Sequence, residues 1–379
     1  MPTTENYFHG PLIEQGQTIS TVAITPATTP IGVVVTADDA DASVFPELSL
    51  VSVTPDLIAK AGSTGTLVNV LNAIYGQSIV PNIIVVRVPT STDLAEQSAY
   101  VAEGASLLAQ AQSQFDLIPE ILGAPGLDDA DEVITALIEV ADKIGGFVYA
   151  AVRGANRAAL LAVRNRFSSK RLMLIWPEFE RLGSIVHATA VALGLRSKID
   201  ADTSLGGRAK TLSNVPLETN FSSDLRISTP VDYFGRDSEG NFLNASHITT
   251  LRREQGVRFW GNRTTATDPL WHYESAVRMA DYIAKRIHFH EFAQTDGLIT
   301  QQQIDHRIEM IQLEIDALVR NGQLLTGSRV IKHPSLNNTA ALAEGRTWLY
   351  ADFTVPPPNE QPGVVLRITQ DYLFNLLAA

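Results

Sequence analysis

Three short stretches carry residue types whose spacing invites chemistry. Gly256 to Thr264, GVRFWGNRT, packs an aromatic pair, a glycine, an amide, a guanidinium and a hydroxyl together, the ingredients of an active-site loop. Ala59 to Leu71, AKAGSTGTLVNVL, sets glycines ahead of a helix-forming run, as phosphate-binding loops do. The stretch HFHEF puts His288 and His290 beside Glu291, residue types that ligate metals.

Each stretch fails a specific test. A P-loop needs lysine followed by Ser or Thr where the helix begins, and here Gly65 is followed by Thr66. Ser63, Thr64 and Thr66 then read as helix-capping residues. Histidines two apart on a helix point in different directions and cannot converge on one ion, and no His-Glu-x-x-His motif occurs. There is no Gly-x-Ser-x-Gly elbow and no Gly-x-Gly-x-x-Gly fingerprint after a predicted strand. In GVRFWGNRT, an arginine and an asparagine without a nucleophile, base or phosphate cradle specify no reaction. Trp260 and Phe259 are expected to bury area there, with Gly261, Asn262, Arg263 and Thr264 forming a turn between two domains. No cofactor and no metal is expected.

The composition narrows the classes further. A chain of 379 residues, 45% hydrophobic and 18% charged, is a soluble globular chain of two or three domains. Cysteine is absent, which removes disulfides, thiolate catalysis and zinc–thiolate sites together. A net charge of −12 repels phosphate backbones and argues against general nucleic-acid binding. No apolar run approaches the ~20 residues of a membrane span. MPTTENYFHGPLIEQG has neither the basic nor the apolar part of a signal peptide, so folding in the cytoplasm is expected.

The elements that must position these residues follow from periodicity. TISTVAIT (Thr18 to Thr25) alternates as one short strand on a loose arm. IGVVVTA and NIIVVRV read as buried strands around a helix, TLVNVLNAIYG. From Phe115 to about Leu195, strand candidates DLIPEILGAPG, GGFVYAAVRG and KRLMLIWPEF alternate with helical DADEVITALIEVADKIG, ANRAALLAVRNRF and GSIVHATAVALGL. That order predicts an α/β domain with a parallel sheet covered on both faces. Residues 196–239 read as loops and short strands at a domain seam. NASHITTLRREQG reads as a helix with Asn244 as N-cap and Gly256 past its end, followed by VRFWGNRT as a strand entering a turn. Two helices come next, the second placing Ile304, Ile308, Ile311, Ile315 and Leu318 on one face. RTWLYADFTV forms a strand, PPPNEQP a stiff linker, and GVVLRITQDYL a last strand with Val364, Leu366 and Ile368 on one side.

The run LNASHITTLRREQGVRFWGNRTTATDPLWHYESAVRMADYIAKRI closely resembles the signature region of phage contractile tail sheath proteins. PEILGAPG, SKRLMLIWP, YADFTVPPPNEQPGVVLRIT and YFHGPLIE add to the resemblance, which spans most of the chain except for a loose match over about 25–110. The size is similar to sheaths of the P2-like phage and R-type tailocin kind. The resemblance implies a structural, motor-like protein and not an enzyme. Its subunits would stack as hexameric rings around a tail tube, with baseplate and tail terminator proteins as partners and no direct contact with nucleic acid or membrane. A baseplate trigger would let the array shorten and drive the tube through a cell envelope without nucleotide hydrolysis. The implied layout is an arm over 1–25, a variable outer region over 26–110 and a subtilisin-like α/β domain over 111–265. An α+β inner domain over 266–355 and a linker with a terminal strand over 356–379 complete it. The place of work is a virion tail or tailocin particle, made in the host bacterial cytoplasm.

In the family the terminal strands are donated to neighbouring subunits, a role implied here for Ile19, Val22 and Ile24 and for Val364, Leu366 and Ile368. Solitary strands on tethers fit that independently, since an outside sheet edge would satisfy their backbone groups. Arg278, Lys285 and Arg286, near His288 and His290, form a basic cluster expected either to face an acidic tube or to serve local salt bridges. A related injection particle is an alternative setting. A hydrolase or nucleotide-binding enzyme is the rival from another class, supported by the alternating middle alone.

Overall fold

A computed structural model of the chain describes residues 28–371 and 373, apart from 293. The strand expected at Thr18 to Thr25, with Ile19, Val22 and Ile24, lies outside the described residues.

Continuous apolar runs make strands that are covered on both faces. IGVVVT forms β1 (Ile31–Thr36), followed by β2 (Leu50–Val53), α1 (Leu67–Tyr75) and β3 (Ile83–Val88). Then come α2 (Leu94–Leu107), α3 (Ala111–Phe115), β4 (Ile121–Gly123), α4 (Asp131–Ile144), β5 (Phe147–Ala151), α5 (Arg157–Arg164) and β6 (Leu172–Ile175). A small excursion follows, with β7 (Phe179–Arg181), β8 (Ser184–Val186), α6 (Ala188–Ala201), α7 (Thr219–Ser222) and β9 (Arg226–Ile227). After α8 (Glu239–Ala245), β10 (Ile248–Arg253) and β11 (Val257–Trp260) close the sheet.

The sheet has eight strands in the order β11-β10-β6-β5-β4-β1-β3-β2. Its interior pairs are parallel, and both edge pairs, β2 with β3 and β10 with β11, are antiparallel. Strand side chains alternate between faces, so Val33 and Val35 join one core while Val34 joins the other. The first core holds α1 and α6; the second holds α2, α4 and α5. Gly194 lets α6 press on α1, since a Cβ there would sit 2.7 Å from the Ile74 backbone. The boundary expected at residue 110 falls inside this sheet, because β1 hydrogen-bonds to both β3 and β4.

The last third packs α9 (Glu274–Phe292) on α10 (Gln301–Arg320). β12 (Arg329–Lys332) and, after α11 (Thr339–Ala343), β13 (Leu349–Asp352) form an antiparallel pair against them. Met279, Ile283, Ile311, Ile315, Leu318 and Val330 make this layer's core. The predicted face of α10 is thus inward at Ile311, Ile315 and Leu318.

Two expectations are corrected. The helix over NASHITTLRREQG does not exist: Asn244 lies in the last turn of α8, and Ile248 to Arg253 form β10. The β-branched Ile248, Thr249 and Thr250 suit a strand, and pairing with β6 overrides the helical spacing. Gly256, at φ +105°, instead turns the β10–β11 hairpin. The seam placed at residue 196 begins too early, for α6 continues to Ala201 with Arg196, Ser197, Ile199 and Asp200 buried. Val364 to Thr369 pairs with no strand among the described residues; Val364, Leu366 and Ile368 are 84%, 90% and 100% exposed.

Candidate functional site

The GVRFWGNRT stretch is a junction, built from one strand end and the loop that follows. Phe259 is fully buried and meets Phe179 edge to face, whereas Trp260 is half-buried under the Arg252 guanidinium, 4.6 Å from its ring centroid. The core anchor is therefore Phe259 rather than Trp260. Gly261 has φ +141°, and a Cβ there would lie 2.7 Å from the Thr249 Cα, so only glycine fits. The buried Asn262 accepts the Glu274 N–H on its carbonyl at 3.1 Å, joining the loop to the first turn of α9. Thr264, also buried, donates its N–H to the His272 carbonyl at 2.7 Å and its hydroxyl to that of Trp271 at 2.7 Å. His247 Nδ1 donates to the Thr264 carbonyl at 2.9 Å; burial, with Arg164 adding to it, pushes this imidazole down to about 4 and keeps it neutral. Arg263 turns outward to the carboxy-terminal linker.

Beneath the junction lies a buried ionic network that the sequence reading missed. Arg196 of α6 reaches Asp200 at 2.6 Å and Glu274 of α9 at 3.3 Å, all with side chains at 0% exposure. Arg196 also donates to the Lys210 carbonyl at 2.6 Å. Arg278, one turn along α9, pairs with the other Asp200 oxygen, which the Thr29 hydroxyl also reaches at 2.5 Å. The Leu212 N–H donates to Glu274 at 2.8 Å, and the Tyr149 hydroxyl of β5 donates to the same carboxylate. Burial by itself would raise the Asp200 pKa; Arg196 and Arg278 outweigh it and hold the carboxyl below its usual range. Burial, and then Glu274, push the Tyr149 phenol well up. One signal was available, an Arg–Asp pair four residues apart inside the otherwise apolar helix ATAVALGLRSKIDA.

Within the single chain the basic cluster meets carboxylates of its own subunit. Arg278 is only 4% exposed and spends its charge on Asp200. Lys285 lies 4.0 Å from Glu120, and Arg286 pairs with Glu314; their side chains are 25% and 28% exposed. Both cations serve contacts inside the subunit. His290 lies 3.3 Å from Glu314, and His288 is exposed. Among the described residues no group of three or more His, Cys, Asp or Glu could hold a metal ion.

The glycine loop binds an anion, but its own. The Ser63 and Thr64 N–H groups donate to the Asp39 carboxylate at 2.9–3.0 Å, with both hydroxyls joining in. The Thr64 and Ser63 hydrogen bonds pull the Asp39 pKa far below the carboxylate range. These residues therefore do not cap α1, and Thr66 accepts from the Thr36 N–H at 3.2 Å instead.

The carboxyl ends of β4, β5 and β6 are where α/β enzymes place their chemistry. Here Asp128, Arg153, Glu178 and His187 meet, tied to backbone groups and to one another. Asp128 accepts the Ala151 N–H at 2.8 Å, and Glu178 accepts the Ala188 N–H at 2.6 Å where α6 begins. Arg153 reaches Glu178 at 3.2 Å and His187 Nδ1 lies 3.3 Å from it. A hollow of about 390 Å³ lies elsewhere, between α10 and β12, lined by Ile308, Leu313 and Val330 with Asp305, Glu309 and Asp316. No helix among the described residues is long and apolar enough to cross a membrane.

Comparison with known proteins accounts for a site without chemistry. Residues 100–265 match the family described as the phage tail sheath protein central domain. The chain is 33% identical to the tail sheath protein of Escherichia phage P2 over 99% of its own length and 98% of that protein's. It is 31% identical to the major tail sheath protein of Serratia phage KSP20, covering 97% of each. The fold matches the sheath of an extracellular contractile injection system in its contracted state (TM-score 0.69, 15% identity, 97% of this chain and 99% of that one). It also matches the anti-feeding prophage helical sheath in its contracted state (TM-score 0.66, 18% identity, 98% and 100%). The mixed sheet and the 33% identity over nearly the whole of the P2 protein agree: the chain belongs to the phage tail sheath protein family, which is structural and not enzymatic.

Proposed function

We propose that this chain is a contractile sheath subunit that stacks as hexameric rings around a tail tube and shortens to drive that tube through a target cell envelope. Baseplate and tail terminator proteins would hold its two ends. The observation that carries the reading is the 33% identity to the P2 tail sheath protein over nearly the whole of both chains. That identity, against 15–18% for the injection-system sheaths, favours a virion tail over an extracellular particle. In this reading residues 111–265 form a subtilisin-like layer to which 26–110 adds strands, and 266–355 form the inner layer. Synthesis takes place in the host bacterial cytoplasm.

The terminal arms would act between chains. Val364, Leu366 and Ile368 expose nearly all of their apolar surface, and an extended segment without partners needs an outside sheet edge for its backbone groups. The hollow beside β12 offers apolar walls and three carboxylates to a segment that carries Arg367. Negative-stain electron microscopy of purified full-length protein should find hollow tubes or stacked rings. Deleting residues 1–25, or everything after Gly363, should leave a folded monomer that forms none. Truncated protein that still builds full-length sheaths would defeat the arm reading.

A further inference from the structure

The carboxy-terminal linker doubles back onto the junction loop. Val355 still packs against the α9–α10 core. Five residues later Glu360 meets Arg263 in a two-pronged pair, with Nε 3.0 Å from Oε1 and Nη2 2.7 Å from Oε2. The Tyr273 hydroxyl donates to the same carboxylate at 3.3 Å. Arg263 and Tyr273 face each other across an antiparallel bridge, so the backbone holds both donors in place. The Arg263 hydrogen bond is the main reason the Glu360 carboxyl lies below its usual range. Past this point nothing among the described residues comes within 4 Å of a Cβ built on Gly363, and the apolar segment after it is exposed.

We infer that Glu360 is a positioning residue for the carboxy-terminal arm, and that the Arg263–Tyr273 pair is the clamp it enters. The inference rests on the reading that Val364 to Thr369 pairs with a second copy of this chain. A planar guanidinium fork fixes a carboxylate in direction as well as distance. With the clamp closed, four residue steps separate the pinned point from Val364, a reach of about 14 Å at ~3.3–3.6 Å per step. With the clamp open, the last anchored residue is Val355, and nine steps reach about 30 Å. A shorter tether of fixed origin raises the effective concentration of the arm at one neighbouring edge and lowers it elsewhere. The junction loop, tied to α9 through Asn262, thereby also sets where the arm leaves the subunit.

The absence of native cysteine lets two spin labels be placed at will. Full-length chains carrying labels at Val365→Cys and at the exposed Leu182→Cys are compared below the assembly concentration, by pulsed electron spin resonance. The unaltered pair should give one narrow distance distribution. Glu360→Gln and Arg263→Gln should each broaden it about twofold, and the swap Arg263→Glu with Glu360→Arg should narrow it again. In unlabelled protein the same single substitutions should raise the critical concentration for tube formation about three- to tenfold, with the swap restoring it in part. A distribution unchanged by Glu360→Gln overturns the clamp. A broadened distribution with an unchanged critical concentration overturns the positioning role. Normal assembly after deletion of residues 364–379 overturns the arm reading and the positioning role with it, while the clamp still stands or falls on the distances alone.

Discussion

Replacing Asp200 with asparagine keeps the shape of the side chain and removes the charge that two buried arginines share. Arg196 and Arg278 have side chains 0% and 3% exposed, and water cannot take over as their partner. Arg196 retains Glu274 at 3.3 Å and the Lys210 carbonyl, but Arg278 loses the one carboxylate it pairs with among the described residues. Removing one member of a buried pair costs about 3–5 kcal/mol, because the remaining charge stays desolvated. Asp200→Asn should therefore destabilise the subunit by about that much, visible as a lower urea midpoint by tryptophan fluorescence at neutral pH. The pH dependence gives a second reading. The folded pKa of Asp200 is depressed, so its contribution is complete above the unfolded value of 3.8 and disappears as pH falls through the lower folded value. The gap between wild type and Asp200→Asn should be constant from neutral pH to about 5 and shrink below about 4. His247, whose folded value is about 4 against 6.5 unfolded, costs both proteins stability that accrues as pH falls between those values and stays in full below them, and it cancels in the difference. A variant within about 1 kcal/mol of wild type at pH 7, or a gap that widens in acid, would refute the network's role.

Phe259→Ala should cost about 3–5 kcal/mol, as large-to-small changes in a closed core do, while Trp260→Ala, half-buried and stacked on Arg252, should cost about 1–2 kcal/mol; equal losses in thermal denaturation would contradict the assignment of Phe259 as the anchor. Reversing Lys285 and Arg286 to glutamate should lower the stability of the monomer before any tube is present, since each new carboxylate would face Glu120 or Glu314. Unchanged monomer stability with lost assembly would return these residues to a tube-facing role.

What could be read from the sequence follows a physical rule. β1, β3, β5 and β6 were legible because strands buried on both faces must be apolar at nearly every position, and Ile311, Ile315 and Leu318 because one face of a helix was packed. β10 was misread because LRRE supplied a helix-like polar end to a segment whose Ile248–Thr250 half is decided by its neighbour β6. Arg196, Asp200, Glu274 and Arg278 were invisible as a group because a periodicity argument counts charges as surface. Only the fold brings α6 and α9 together across 78 residues. Glu360 was read as part of a stiff linker, and its partner Arg263 is 97 residues away. The junction residues were read as a strand entering a turn, as β11 and the loop after it are, but the segment before them was taken for a helix where β10 pairs with β11 in a hairpin.

The distribution of strength within the subunit bears on how a contractile sheath can change state. The first turn of α9 is held to α6 and β5 by Glu274 and Arg278, and to the junction loop by Asn262. Opening that seam would strand buried charges, each worth several kcal/mol, against the ~5–15 kcal/mol that holds a whole domain folded. A change of state routed through the seam would therefore approach unfolding. The segment after Gly363 makes no comparable contact, and its origin is set by one ion pair with both side chains about a third exposed, a contact of roughly 1 kcal/mol or less. Motion between subunits then costs least where the chain leaves the fold, so the two packed layers are expected to travel as one body while the tether changes direction.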